Sequence, residues 1–222
     1  MVKFWGNVAS QPSRSVEYVL KKFGVEYEYK HTEFVTETRT EDFKSNINSR
    51  GQVPVIDVDG QKIVESSAIL RYLLDTYDTE ELLFPKSDLV ARAQADAWFD
   101  VSGTVYRPTF TSAYRPLVFA PVVYGAPKPS EEETKSLLEG VHNSLKDFNE
   151  NLGNSKFVTG EKLSIVDVVL FNEVLSVCHL LKIDTSEYEK LHAWRDAVKE
   201  DEIVADLEKQ FIDVVAAIME KV

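Results

Sequence analysis

The sequence predicts two halves of different class, a mixed α/β half followed by an all-helical half. Three observations carry this. Up to residue 78 the apolar residues switch between a spacing of two and the 3.6-residue spacing of a helix. A charged, proline-bearing stretch at 79–88 then breaks the pattern, and every apolar series after it runs at helical spacing. Because 222 residues exceed the usual size of one domain, the expected division is 1–78, a linker at 79–88, and 89–222.

Residues 2–5 are a short apolar-rich run, read as the first strand. Val16, Val19, Leu20 and Phe23 then fall on one helix face. Pro12 suits the first turn, where its missing N–H would be unpaired anyway, and Gly24 stands where a left-handed residue ends a helix. Ser10 is left in the loop between strand and helix. Val25, Tyr27 and Tyr29 alternate with Glu26, Glu28 and Lys30, a strand with one wet face. The polar stretch 32–51 reads as loop with a short helix anchored by Phe43 and Ile47. Residues 53–58 and 61–64 flank Asp59-Gly60, which favours the tight turn of a hairpin. Glu65-Ser66-Ser67 before Ile69, Leu70, Leu73 and Tyr77 predicts a serine-capped helix.

In the second half, Ser130 with Glu133 forms a capping box before Leu137, Val141, Leu145 and Phe148, and Gly153-Asn154 marks the stop. Ser164 with Asp167 forms another, with Leu163 and Val168 at the staple positions of a helix running through Phe171, Val174 and Cys178. Leu191, Trp194 and Val198 mark a further helix, and Leu207, Phe211, Val215 and Ile218 a last one.

Composition excludes several functions. A net charge of -12 opposes phosphate backbones and anionic lipid, so nucleic acid and membrane are not expected partners. An anionic small ligand would need a local positive cluster. The single cysteine, Cys178, permits neither a disulfide framework nor a Cys-x-x-Cys pair, and no apolar run suggests a signal peptide or a span, so a cytosolic chain is expected. His31, His142, His179 and His192 show no metal-ligand spacing, and no metal is expected.

Two segments carry candidate chemistry. Residues 8–14, VASQPSR, put the Ser10 hydroxyl and backbone donors at a helix N-terminus, where the helix dipole favours an anion or thiolate. Equally, Ser10 is a plain helix cap on these residues alone. In the second segment, Pro54 within Gln52-Val53-Pro54-Val55 marks an edge, a bulge, or a cis bond that holds backbone open for a ligand. Further on, Ser66 can offer its hydroxyl and N–H to a carboxylate, and Glu65 can hold an ammonium.

Together these segments resemble the glutathione transferase family. Residues 10–14 are similar to its theta and delta classes, and ESSAIL at 65–70 to its glutathione-binding half; FVTGEKLSIVD at 157–167 resembles its second capping box. The capped helices also resemble the phi class. The resemblance spans nearly the whole chain and implies a thioredoxin-like first half and a homodimer. By resemblance, Ser10 donates a hydrogen bond to the glutathione sulfur, and Arg14 supports the loop around it. Val53 pairs its backbone with the cysteinyl portion before a cis Pro54, and Glu65 and Ser66 hold the γ-glutamyl end. Arg39 and Gln52 are expected near the glycyl carboxylate. The thiolate would attack an electrophilic carbon or a peroxide oxygen of an apolar substrate.

Residues 106–124, YRPTFTSAYRPLVFAPVVY, either line that substrate's pocket, with Arg107 and Arg115 at its mouth, or pack between helices. Trp5 stands where many family members carry a tyrosine, and no other early tyrosine competes with Ser10. The rival readings are a non-catalytic transferase-like scaffold or carrier, and a thioltransferase or dehydroascorbate reductase. The latter lacks a thiol in the first half.

Overall fold

A computed structural model describes residues 1–219; residues 220–222 of the expected second half lie outside the described residues. The first half is built on a four-stranded sheet in the order β2-β1-β3-β4. β1 (Val2–Gly6) runs parallel to β2 (Tyr27–His31), with α1 (Gln11–Lys22) making the crossover. β3 (Val55–Val58) pairs antiparallel with β1 and with β4 (Gln61–Val64). The turn between β3 and β4 has Asp59 at φ 52 and Gly60 at φ 85, the positive pair that Asp-Gly favours. α2 (Glu41–Asn46) lies in the polar stretch, and α3 (Ser66–Tyr77) packs on α1. This is the expected thioredoxin-like arrangement.

Three local expectations change. β2 begins at Tyr27, because Val25 is still turning out of α1 with its N–H bonded to the Leu20 carbonyl at 2.9 Å. β3 begins at Val55, since the Val53-Pro54 bond is cis and Pro54 has no N–H for the ladder. No serine caps α3: Glu65 occupies the cap at φ 69 without a side-chain cap bond, and Ser66 is the first helical residue. A capping side chain needs extended backbone to reach the free N–H groups, and Glu65 is left-handed there.

The stretch 79–88 is pinned. The buried Asp78 carboxylate accepts from the N–H groups of Leu82, Leu83 and Phe84 at 2.7, 2.9 and 3.1 Å, which drives Leu83 and Phe84 into the core. The Leu83 carbonyl then accepts from Ile165 N–H at 3.0 Å, tying the stretch to the helical half.

That half starts with α4 (Leu89–Val101), α5 (Arg107–Tyr114) and α6 (Ala120–Tyr124), joined by π-helical turns at Ser102–Tyr106 and Arg115–Phe119. Pro108, Pro116 and Pro121 explain the turns: each lacks the N–H that the ladder needs, and the ladder widens around it. α7 (Glu131–Asn151), α8 (Ile165–Leu181), α9 (Glu189–Lys199) and α10 (Glu202–Met219) follow. The Ser130–Glu133 box forms reciprocally at the start of α7. At the start of α8, Asp167 accepts from Ser164 N–H and from Trp194 Nε1, each at 2.9 Å, fastening α8 to α9. Residues 165–178 are buried on every face, so α8 is the core helix around which the others pack.

Candidate active site

The cleft lies where β1 hands over to α1. Ser10 caps α1 in extended backbone, its Oγ accepting from Ser13 N–H at 3.4 Å. With that long bond holding one lone pair, the hydroxyl proton is free to donate elsewhere. Ser10 borders a cavity of about 340 Å³, whose far wall comes from the turn Arg115–Phe119, α6, α8 and α10: Val118, Phe119, Val122, Leu180, Phe211 and Val215. The aromatic segment 106–124 therefore lines a pocket rather than only packing between helices, with Arg107 and Arg115 as its cations.

A second, more polar cavity of about 250 Å³ adjoins it and shares Pro12, Phe34, Gln52 and Arg107 with the first. Its walls are Thr38, Asn48, Gly51, Val53, cis Pro54, Glu65 and Ser66. Gly51 has φ 63, and a Cβ there would lie 2.5 Å from the Thr38 carbonyl oxygen, so only glycine lets the loop close on this wall. Neither the N–H nor the C=O of Val53 bonds another described residue. A ligand backbone can pair with it as an added strand would. The Glu65 carboxylate pairs with Arg50, which lies in the α2–β3 loop.

Arg14 supports the Ser10 loop as expected, from outside the cavities, whereas Arg39 lies away from its expected place. Arg14 lines neither cavity: it is fully buried, donating to the Val8 carbonyl at 2.7 Å, to Asn172 Oδ1 at 2.8 Å and to Ser176 Oγ at 2.7 Å, and stacking 4.2 Å over Phe211. It holds the loop that carries Ser10 onto α8. Burial draws its pKa down to about 9, against the opposing pull of Glu173. Arg39 sits outside the cleft, 5.7 Å over the Tyr124 ring, because the loop after β2 turns it towards α6.

Sequence reasoning missed a polar layer behind the cleft. Gln11 Nε2 donates to the Tyr114 hydroxyl at 2.6 Å and to Glu173 Oε2 at 3.4 Å, while Arg107 Nε donates to Glu173 Oε1 at 2.7 Å. Burial raises the Tyr114 pKa, so its hydroxyl is neutral at physiological pH. Glu173 had a signal: Asn172-Glu173 is a polar pair inside the apolar run IVDVVLFNEVLSV. Tyr114 lies within the segment 106–124, read as pocket wall or helix packing, whereas Arg50 and Phe34 had no signal that separates them from surface or core residues.

The cleft is locally positive in an acidic protein. Arg107 and Arg115 line it, the α1 N-terminus faces it, and Glu65 is its one acidic wall residue among those described. Among the described residues, no cluster of His, Cys, Asp or Glu could hold a metal ion, and no helix is long and apolar enough to cross a membrane.

A mixed four-stranded sheet and a helical half share one cleft, polar on the sheet side and apolar on the helix side. Residues 1–75 match the family model described as Glutathione S-transferase, N-terminal domain, and residues 108–202 match Glutathione S-transferase, C-terminal domain. Glutathione S-transferase theta-3 of Mus musculus is 30% identical over 87% of this chain and 80% of its own length; theta-2 of Homo sapiens is 28% identical over 97% and 87%. A human theta-class glutathione transferase, solved with the glutathione conjugate of 1-menaphthyl sulfate, superposes with a TM-score of 0.89 at 25% identity, covering 99% of this chain and 91% of that one. The chain belongs to the glutathione S-transferase family.

Proposed function

We propose that this protein conjugates the thiol of reduced glutathione to apolar electrophiles, with Ser10 activating the sulfur by hydrogen bonding. One observation carries the reading: Ser10 borders the apolar lobe, and that lobe shares Pro12, Phe34, Gln52 and Arg107 with the polar lobe that holds cis Pro54, Glu65 and Ser66. The tripeptide occupies the polar lobe. Its cysteinyl backbone pairs with Val53 beside Pro54, its γ-glutamyl ammonium meets Glu65, its γ-glutamyl carboxylate meets the Ser66 hydroxyl and N–H, and Gln52 lies near the glycyl end. Its sulfur comes to rest at the junction with the apolar lobe, near Ser10 and Arg107.

A free thiol titrates near ~8.5, so little thiolate exists at neutral pH. A hydroxyl donor, a helix N-terminus and a guanidinium each stabilise the anion, and Ser10 does this without ionising. The thiolate attacks the electrophilic carbon or peroxide oxygen of a substrate held by Val118, Phe119, Leu180 and Val215, and the leaving group departs with its electron pair. We assign the glutathione half to 1–78 and the electrophile half to 89–222, and place the protein in the cytosol, which suits its lone, buried cysteine.

Titration calorimetry with reduced glutathione tests the cradle. Saturable binding is expected, and Glu65→Gln and Ser66→Ala should each weaken it roughly tenfold while kcat changes little, as for contacts made equally in ground and transition states. Absence of heat at millimolar glutathione overturns the reading.

The family likeness also supports a C2 homodimer. Leu89 and Val90 are exposed together at the start of α4, and Leu82 is exposed in the stretch before it, apolar side chains that a second copy would cover. Light scattering at micromolar concentration should give twice the 25.2 kDa chain mass, and a monomer mass counts against the dimer.

A further inference from the structure

Glu173 lies one layer behind the cleft and lines neither lobe. It is 1% exposed, on the core helix α8, where an unpaired carboxylate costs several kcal/mol and an apolar side chain would pack without that penalty. The groups facing it are Gln11 and Arg14 from α1 and Arg107 and Tyr114 from α5. Of these, Arg107 makes the shortest contact, Nε to Oε1 at 2.7 Å. Its two terminal nitrogens bond no other described side chain, and the residue borders both lobes at once. A guanidinium held by its Nε edge has its plane fixed and presents the opposite edge to whatever lies in front of it.

We infer that Glu173 is a positioning residue for thiol activation, holding Arg107 so that the free edge of its guanidinium faces the glutathione sulfur where the two lobes meet. The inference rests on the thiol-activation reading above. Glu173 makes no contact with substrate and acts through Arg107 alone. Two influences on the sulfur therefore have opposite signs. Through space, the Glu173 charge disfavours a thiolate, so losing the charge lowers the thiol pKa. Through Arg107, losing the acceptor lets the cation swing to solvent, which raises the thiol pKa.

Thiolate absorbance in the ultraviolet, followed across a pH series with glutathione bound, separates them. Glu173→Met, close in volume and without an acceptor, should raise the pKa of the bound thiol by about one unit, the smaller end of what a nearby cation contributes. Conjugation well below that pKa then slows roughly tenfold, with glutathione affinity little changed. Glu173→Gln keeps an oxygen for Arg107 Nε and removes the charge, so it should not raise the pKa. In an Arg107→Ala background, Glu173→Met should no longer raise the pKa, because only the through-space influence, which lowers it, remains. A fall or no change with Glu173→Met, or a shift that adds to that of Arg107→Ala, overturns the inference while the thiol-activation reading stands. If the parent's bound thiol titrates like free glutathione, both fall. Should Glu173→Met fail to fold, Arg107→Ala and Glu173→Gln still decide: a parent-like pKa in the first or a raised one in the second is fatal.

Discussion

Ser10→Ala is expected to raise the pKa of bound glutathione's thiol and to slow conjugation at neutral pH by about 100-fold, the usual consequence of removing one donor aimed at an anion. Glutathione affinity should hardly change, because the lost bond favours the thiolate specifically. On the proposed reading the hydroxyl is cap and donor together: its oxygen accepts from Ser13 N–H at a slack 3.4 Å, so the cap is weak and the proton remains available. Ser13 is the control in the same loop. It is 1% exposed and its Oγ has no partner among the described residues, so Ser13→Ala should leave the thiol pKa alone and the stability equal or higher. Ultraviolet titration of both variants with glutathione bound, beside their conjugation rates, decides the matter. A Ser10→Ala enzyme that titrates like the parent reduces Ser10 to a helix cap, and a shift carried by Ser13→Ala moves the catalytic assignment to Ser13.

How much of this was legible depended on whether a residue's role is local in sequence. Pro12, Gly24, Asp59-Gly60 and the Ser130–Glu133 box act on neighbours within a few residues, so their elements could be read directly. Glu65 could not be. Its left-handed backbone is imposed by the turn from β4 into α3, and Glu-Ser-Ser reads as an ordinary cap without that context. Leu83 and Phe84 lie in a stretch whose composition is polar on average, and only the three N–H groups gathered by Asp78 show why they turn inward. The cleft was half legible. Ser10, Pro54 and Ser66 belong to short motifs, whereas the Gln11–Glu173–Arg107 layer joins three helices 66 to 162 residues apart in sequence. Arg14 was legible as a support of the Ser10 loop, but its partners Asn172 and Ser176 on α8 were not, because they lie about 160 residues away in sequence.

Arg14→Met should therefore be the most destabilising change near the cleft. The substitution keeps most of the volume and removes a guanidinium that donates to Val8 O, Asn172 Oδ1, Asn172 O and Ser176 Oγ at 2.7, 2.8, 3.1 and 2.7 Å. Each acceptor then loses a charged donor in a buried or half-buried site, and Glu173 loses one of the two cations that offset its burial. Breaking a buried charged cluster from one side costs about 3–5 kcal/mol, a large part of the roughly 5–15 kcal/mol that holds a domain folded. Arg14→Lys should recover little of this, because three donors on one nitrogen cannot span acceptors on both α8 and the Val8 carbonyl. Freed from α8, the loop at 8–10 no longer fixes Ser10, so kcat should fall in the surviving folded enzyme while glutathione affinity, set in the polar lobe, holds. Denaturant melts and steady-state kinetics on the Met and Lys variants test both halves of the argument. Parent-like stability in Arg14→Met would show that α1 and α8 are held together by apolar packing, and that the position of Ser10 owes nothing to the buried arginine.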